Sequence, residues 1–201
     1  EIWLPHNGLL ASKLGKKAST NLGAFNLGEF SPAPENIINQ EFQATAPNEK
    51  WLTDITEFHI RAGKVYLSAI IDCFDGLVIS WTIGTSLDAD LVNTMLDAAV
   101  ETIADSEARP IAQAIAEATI AGVAGWNDRR SEARSLDVTK GELAGQSRIE
   151  GFFGRLKIEF FYPRDWRAFT LAQFIDEADA YIRWYNETRI KMSLGGRSPI
   201  E

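Results

Sequence analysis

The stretch Trp51-Leu-Thr-Asp-Ile-Thr-Glu-Phe58 constrains this chain more than any other. It follows a loop-like Ala-Pro-Asn-Glu-Lys (46–50). Its bulky Trp51, Ile55 and Phe58, with β-branched Thr53 and Thr56, read as a strand. Asp54 stands in the middle of it. A carboxylate at the centre of a strand is costly to bury unless it is paired, hydrogen-bonded or holding a metal. Two further apolar runs follow, Lys64-Val-Tyr-Leu-Ser-Ala-Ile-Ile71 and Gly76-Leu-Val-Ile-Ser-Trp-Thr-Ile83. The segment between them ends in Asp75-Gly76, a hairpin signal. Three consecutive strands with an acid on the first predict a sheet built to hold something charged.

A chain of 201 residues can bury one sizeable core, or a core with an appendage. Its 45% hydrophobic and 24% charged residues are those of an ordinary soluble protein. The single cysteine, Cys73, excludes an internal disulfide and a cysteine-based zinc site, and points to a reducing compartment. No apolar run approaches the length of a membrane span, and no signal peptide is visible. The chain opens at Glu1 without a methionine and stops abruptly at Glu201, which reads as a fragment. A net charge of −8 argues against a nucleic-acid partner, but the charge is unevenly spread. Residues 41–108 carry twelve acids against three bases, whereas 148–201 carry nine bases against eight acids, so a basic surface remains available in the second half.

Residues 1–40 are weakly patterned: Lys13, Lys16 and Lys17 form a small basic cluster, and Ser31-Pro-Ala-Pro34 marks a linker. After the three strands, Ser86 reads as the N-cap of a helix over 88–104 whose Leu91, Met95, Ala98 and Ala99 fall on one stripe. Residues 113–125 are small and featureless, and 127–148 lack a period. Pattern returns with Glu150-Gly-Phe-Phe-Gly-Arg-Leu-Lys-Ile-Glu-Phe-Phe161, an amphipathic helix. A second helix over 169–186 follows, with Phe174, Ala178, Tyr181, Ile182 and Tyr185 on one face.

Trp51-Leu-Thr-Asp-Ile-Thr56, Tyr66-Leu-Ser68, Ile71-Asp-Cys-Phe-Asp75, Glu150-Gly-Phe-Phe-Gly-Arg-Leu-Lys157 and Trp184-Tyr-Asn-Glu-Thr-Arg-Ile-Lys191 closely resemble bacterial insertion-sequence transposases of the DDE class. The resemblance covers roughly 31–112 and 149–201. It implies an α/β, ribonuclease-H-like fold, a mixed sheet flanked by helices, with a C-terminal helical extension. The expected division is an N-terminal arm over 1–45, an integrase-like catalytic core over 46–161 and the extension over 162–201. It also implies a two-metal site for Mg²⁺ (or Mn²⁺), ions that prefer hard oxygen ligands and flank a phosphodiester during in-line attack. Asp54 matches the first catalytic aspartate and Glu150 the glutamate; both are the expected catalytic and metal-binding residues. Arg148, Arg155 and Lys157 are candidates for DNA contact, with a solvated face as the competing reading. Asp72 and Asp75 read as structural turn acids. The implied partners are DNA, as transposon ends and target, and further copies of the chain. No helix-turn-helix is evident in 1–50, so end recognition is expected from a missing N-terminal region or a separate protein. The expected location is the bacterial cytoplasm, on the nucleoid when DNA is bound.

The pattern breaks where the second aspartate belongs, in a His-Ser-Asp-Arg-Gly motif. Arg109-Pro-Ile-Ala112 is the right lead-in, but Gln113-Ala-Ile-Ala-Glu117 holds no aspartate. A plausible gene for His-Ser-Asp-Arg-Gly-Gly-His-Tyr-Arg-Trp, with the last base of its histidine codon removed, translates as the sequence of 113–122. Residues 135–146 back-translate one frame further on to Arg-Ser-Met-Ser-Arg-Lys-Gly-Ser-Ser-Pro-Asp-Asn, also a family motif. Residues 113–148 therefore read as frameshifted, and are expected to be poorly buried with few contacts to the sheet. A copy so damaged lacks one metal ligand and is expected to be inactive. The alternatives are a non-catalytic DNA-binding or subunit-interaction remnant, and a nuclease that recruits another acid such as Glu117 or Asp128.

Overall fold

The computed structural model describes residues 44–115, 119, 137–140 and 143–201. The arm over 1–43, with its basic cluster and linker, and the acids Glu117 and Asp128 lie outside the described residues. Five strands form one mixed sheet in the order β3-β2-β1-β4-β5: β1 Lys50–Ile60, β2 Gly63–Asp72, β3 Val78–Gly84, β4 Ile111–Ala114 and β5 Asp137–Lys140. β1 and β2 run antiparallel, with Trp51 opposite Asp72 and Ile60 opposite Gly63. β3 continues antiparallel to β2, with a register shift between Ile70 and Ile71. β4 turns the pairing parallel, setting Lys50 opposite Ile111 and Thr53 opposite Ala114, and β5 lies parallel beyond it.

Side chains alternate across the pleat, so each strand serves two cores. On one face, Trp51, Ile70, Ala112 and Ala114 pack under α1 (Ala89–Thr102) through Val92, Met95, Leu96 and Ala99. On the other, Leu52, Phe58, Val65, Leu67, Ala69 and Ile71 pack with Ile149, Phe152, Phe153, Leu156, Phe160, Phe174, Ala178, Ile182 and Tyr185. The latter come from α2 (Leu143–Arg155), a π-helical segment (Leu156–Phe161) and α3 (Leu171–Glu187). The C-terminal helix thus shares the core of β1 and β2.

Several expectations shift. The N-cap of α1 is Asp88, not Ser86: its carboxylate accepts the Leu91 N–H at 3.0 Å, which satisfies a donor the first helical turn leaves open. The helix expected to start at 149 begins at Leu143, and its second half is π-helical, with the Tyr162 N–H donating to the Lys157 carbonyl at 2.8 Å. The wider turn brings both Phe160 and Phe161 to the aromatic cluster: Phe160 lies 4.9 Å from Trp166, and Phe161 lies 5.2 Å from Phe58 between ring centroids. The expectation that 113–148 stands apart from the sheet fails at the described positions. Gln113 and Ala114 complete β4, Ala114 is fully buried, and 137–140 pair with β4. Backbone pairing asks only for N–H and C=O groups, and alanine is small enough to enter a core that the segment was not patterned for.

A contact that the sequence pattern does not mark ties α3 to the sheet. Buried Asn186 accepts the Val78 N–H at 3.0 Å and donates to the Val78 carbonyl at 2.9 Å, acting as a one-residue strand partner. Asn186→Ala leaves both groups unpaired in a dry site. It should lower unfolding stability by about 2–4 kcal/mol in urea titrations, well above an ordinary surface substitution.

Candidate functional site

Asp54 lies on the α2-covered face of β1, as Leu52 and Phe58 do, and is half-buried. β4 ends opposite Thr53, whose carbonyl accepts the Ile115 N–H at 3.1 Å. The Ile55 N–H points the same way along β1 but lies beyond the end of β4. Asp54 meets it locally, its carboxylate accepting that N–H at 2.8 Å. One residue past β4, Ile115 continues the register and stands beside Asp54 on the same face, half-buried against the α2-side core. Glu150 is exposed on α2, immediately after fully buried Ile149, which seats that turn of the helix on the sheet. Among the described residues, no three His, Cys, Asp or Glu side chains come together as a metal-holding group.

The sequence-derived cations separate. Arg148 and Arg155, seven residues apart on one face of α2, line a cleft of about 520 Å³. The opposite wall is the β2–β3 turn (Asp72, Phe74, Asp75, Gly76), and Tyr185, Lys191, Ser193 and Leu194 close the end. Lys157, in the π-helical segment, lies outside that lining. Arg148 donates to the Cys73 carbonyl, and Lys191 Nζ donates to the carbonyls of Asp75 at 2.9 Å and Gly76 at 3.2 Å. Lys191 was not singled out from the sequence; the Asp-Gly turn to which it docks was the available signal. Burial pushes its ammonium down to about 8, opposed by Asp75 and assisted by Arg189, Arg155 and Arg148.

Asp72 and Asp75 are turn acids, as expected. Asp72 accepts the backbone N–H groups of Asn48 and Phe74, each at 2.7 Å, and Asp75 accepts that of Leu77 at 2.7 Å. Burial raises the Asp72 carboxyl against those two bonds. Glu159, in the π-helical segment beyond α2, is an anchor. It accepts from Arg189 at 2.6 and 2.9 Å and from the Tyr181 hydroxyl at 2.9 Å.

A mixed five-stranded sheet in this order, with helices on both faces, defines the ribonuclease-H-like class. Solved structures agree on the fold. The catalytic core domain of HTLV-2 integrase in complex with magnesium superposes with a TM-score of 0.52 at 15% identity, over 79% of this chain and 97% of that one. A simian T-cell lymphotropic virus intasome, in complex with a PP2A regulatory subunit, gives 0.59 at 16% identity, over 79% and 55%. Two Integrase core domain families match, one over residues 44–112 and one over 150–201. The chain is 54% identical over 177 residues to a probable transposase for insertion sequence element IS1353 of Shigella flexneri, which covers 87% of this chain and 34% of that protein. It is 33% identical over 183 residues to the putative transposase InsK of IS150 from Escherichia coli, covering 87% and 61%. It is 35% identical over 174 residues to a transposase-like protein of Haemophilus influenzae, covering 86% and 79%. The chain belongs to the integrase-core family of insertion-sequence transposases. It spans about a third of the Shigella relative and less than two thirds of the E. coli one. No helix among the described residues is long and apolar enough to cross a membrane.

The Glu159 network predicts an acid sensitivity. Its hydrogen bonds, first those from Arg189, hold the Glu159 carboxyl below the ordinary glutamate range. The stability it contributes is therefore present above that range and is lost as pH falls through the lower folded value. Glu159→Gln should cost about 1–3 kcal/mol at pH 7. In thermal melts, its deficit against the parent should shrink steadily below pH 4.

Proposed function

We propose that this chain is the catalytic core of a DNA transposase in which Asp54 and Glu150 are the two remaining members of a three-carboxylate set, and that this copy neither cuts nor joins DNA. The observation that carries this reading is Ile115, which follows β4 directly beside Asp54 and on the same face. The reading-frame argument supports it: the shift that turns His-Ser-Asp into Gln113-Ala-Ile converts the aspartate codon at position 115. The two family matches leave 113–149 between them, which takes in the 113–148 suspected of frame damage. We read 46–161 as the core, 162–201 as its helical extension and 1–45 as an arm.

Divalent ions such as Mg²⁺ or Mn²⁺ are the cofactors this reading implies, as magnesium accompanies the HTLV-2 integrase core. The side chains at the site do not complete a fit. Asp54 and Glu150 offer hard oxygen donors, but Ile115 offers a hydrocarbon where a third carboxylate would add a ligand and a negative charge. We therefore derive no metal-dependent step for this chain. Its residual role is to bind DNA through the cations of α2 and the π-helical segment, Arg148, Arg155 and Lys157. Association with intact copies and with a separate end-recognition region would draw it into a transposition complex. The dimeric form of the HTLV-2 integrase core is a precedent for such association.

Restoring the carboxylate tests this reading directly. By calorimetry, the parent chain should bind Mn²⁺ weakly, and Ile115→Asp should tighten binding by at least about tenfold. Adding Asp54→Asn to Ile115→Asp should remove that gain. Mg²⁺-dependent cleavage of DNA by the parent chain, abolished by Asp54→Asn, would overturn the claim of inactivity. A gain in Ile115→Asp that survives Asp54→Asn would instead remove position 115 from the site.

A further inference from the structure

We propose that the cleft between α2 and the β2–β3 turn is a phosphate-binding subsite, which seats one backbone phosphate of a DNA strand passing along α2. This deepens the DNA-acting reading above and rests on it for the source of the phosphate. The cations there keep their charge. Arg148 and Lys191 spend donors on the carbonyls of Cys73, Asp75 and Gly76, which orient a cation without neutralising it. The two acids in the wall turn oxygens to the backbone N–H groups of Asn48, Phe74 and Leu77, and the three cations outnumber them. Arg155 reaches Glu159 only at 4.0 Å, and that carboxylate is already bound by Arg189 at 2.6 Å. Three cations thus line one concavity with hydrogen-bond donors to spare, which suits the several acceptor oxygens of a phosphate.

Two glycines shape the cleft. Gly76 has φ +74°, and a Cβ there would fall 2.5 Å from Lys191 Nζ, so glycine is what lets the ammonium dock on the turn. A Cβ at Gly151 would meet nothing within 4 Å, so the α2 wall opens directly into the cavity. Burial is the main cause of the lowered proton affinity of Lys191, and the neighbouring arginines add to it. The groups facing it are Asp75 from the turn, Arg148 and Arg155 from α2, and Arg189 and Tyr185 from α3 and the segment after it. A bound phosphate would reverse the repulsion among them.

The test uses the full chain, with a labelled DNA duplex followed by anisotropy over a salt series and inorganic phosphate followed by ³¹P line broadening. Arg155→Gln and Lys191→Gln should each weaken duplex binding about three- to tenfold and lower the slope of log affinity against log salt by about one. Removing Lys191 also releases the turn carbonyls. Gly151→Met is therefore the decisive variant: it fills the cleft while leaving every cation and the turn in place. It should match the Arg155→Gln loss with a thermal melt no lower than the parent's, since methionine is the better helix former, and should abolish phosphate broadening. Arg167→Gln, at a cation engaged with Asp165 and outside the cleft lining, should stay within about twofold of the parent in duplex affinity. Duplex binding that is equal in the parent and Gly151→Met overturns the subsite while leaving the DNA-acting reading standing. Phosphate broadening that Gly151→Met abolishes, in a chain that binds no duplex, upholds the phosphate site and overturns DNA as its source.

Discussion

β1 is buried on both faces over Trp51–Thr53 and carries a carboxylate at the very next position, and the rest of the structure is arranged around that constraint. Leu52 and Phe58 face the α2–α3 side while Trp51 faces α1, and only the far half of the Trp51 face, at Glu57 and His59, is left to solvent. Asp54 is tolerated because β4 stops one residue short of it. Where β4 ends, the Ile55 N–H is left for the carboxylate, and the cover over Asp54 is incomplete. The short parallel pairing of β1 with β4 therefore does two things. It closes the sheet at Lys50–Thr53, and it leaves the next residue of β1 half-buried just past the end of the pairing.

Holding α2 over that face requires a wedge at its far end. The π-helical segment supplies one by widening the turn, so that Phe160 and Phe161 both enter the cluster of Phe58, Trp166 and Phe174. Rings at these separations combine large apolar burial with tilted or edge-on packing, a favourable arrangement for aromatic quadrupoles. α3 then closes the layer, with Asn186 bonded to both backbone groups of Val78 and with Arg189, just past its end, bonded to Glu159. Polar contacts fix the register of this layer, whereas apolar ones supply its burial.

The charge balance follows the same geometry. A net charge of −8 is a poor guide to any partner, because the acids and bases occupy different places. Asp72 and Asp75 are spent on the backbone of the β2–β3 turn, while Arg148, Arg155 and Lys191 converge on the cleft beside it. A net-acidic composition thus contains a local basic surface.

The sequence by itself determined the three-strand start and the helix of Phe174, Ala178 and Ile182, because these are recorded in periodicity, and it singled out Asp54 and Glu150 through contiguous motifs. Turn acids were legible too, since an Asp beside Gly in a hairpin meets its own local backbone. Three features belonged to the tertiary structure. The reading frame alone could point to position 115, but its place beside Asp54 exists only once β4 pairs in parallel with β1, a contact between residues about sixty positions apart that no local pattern encodes. The π-helical turn arises from packing aromatic rings that a regular helix would send in other directions. Lys191 joins Arg148 and Arg155 only because α3 folds back over the turn at Gly76. Small residues at 112 and 114 could enter the sheet despite lacking a strand pattern, because hydrogen-bonded pairing uses the backbone, which every residue carries alike.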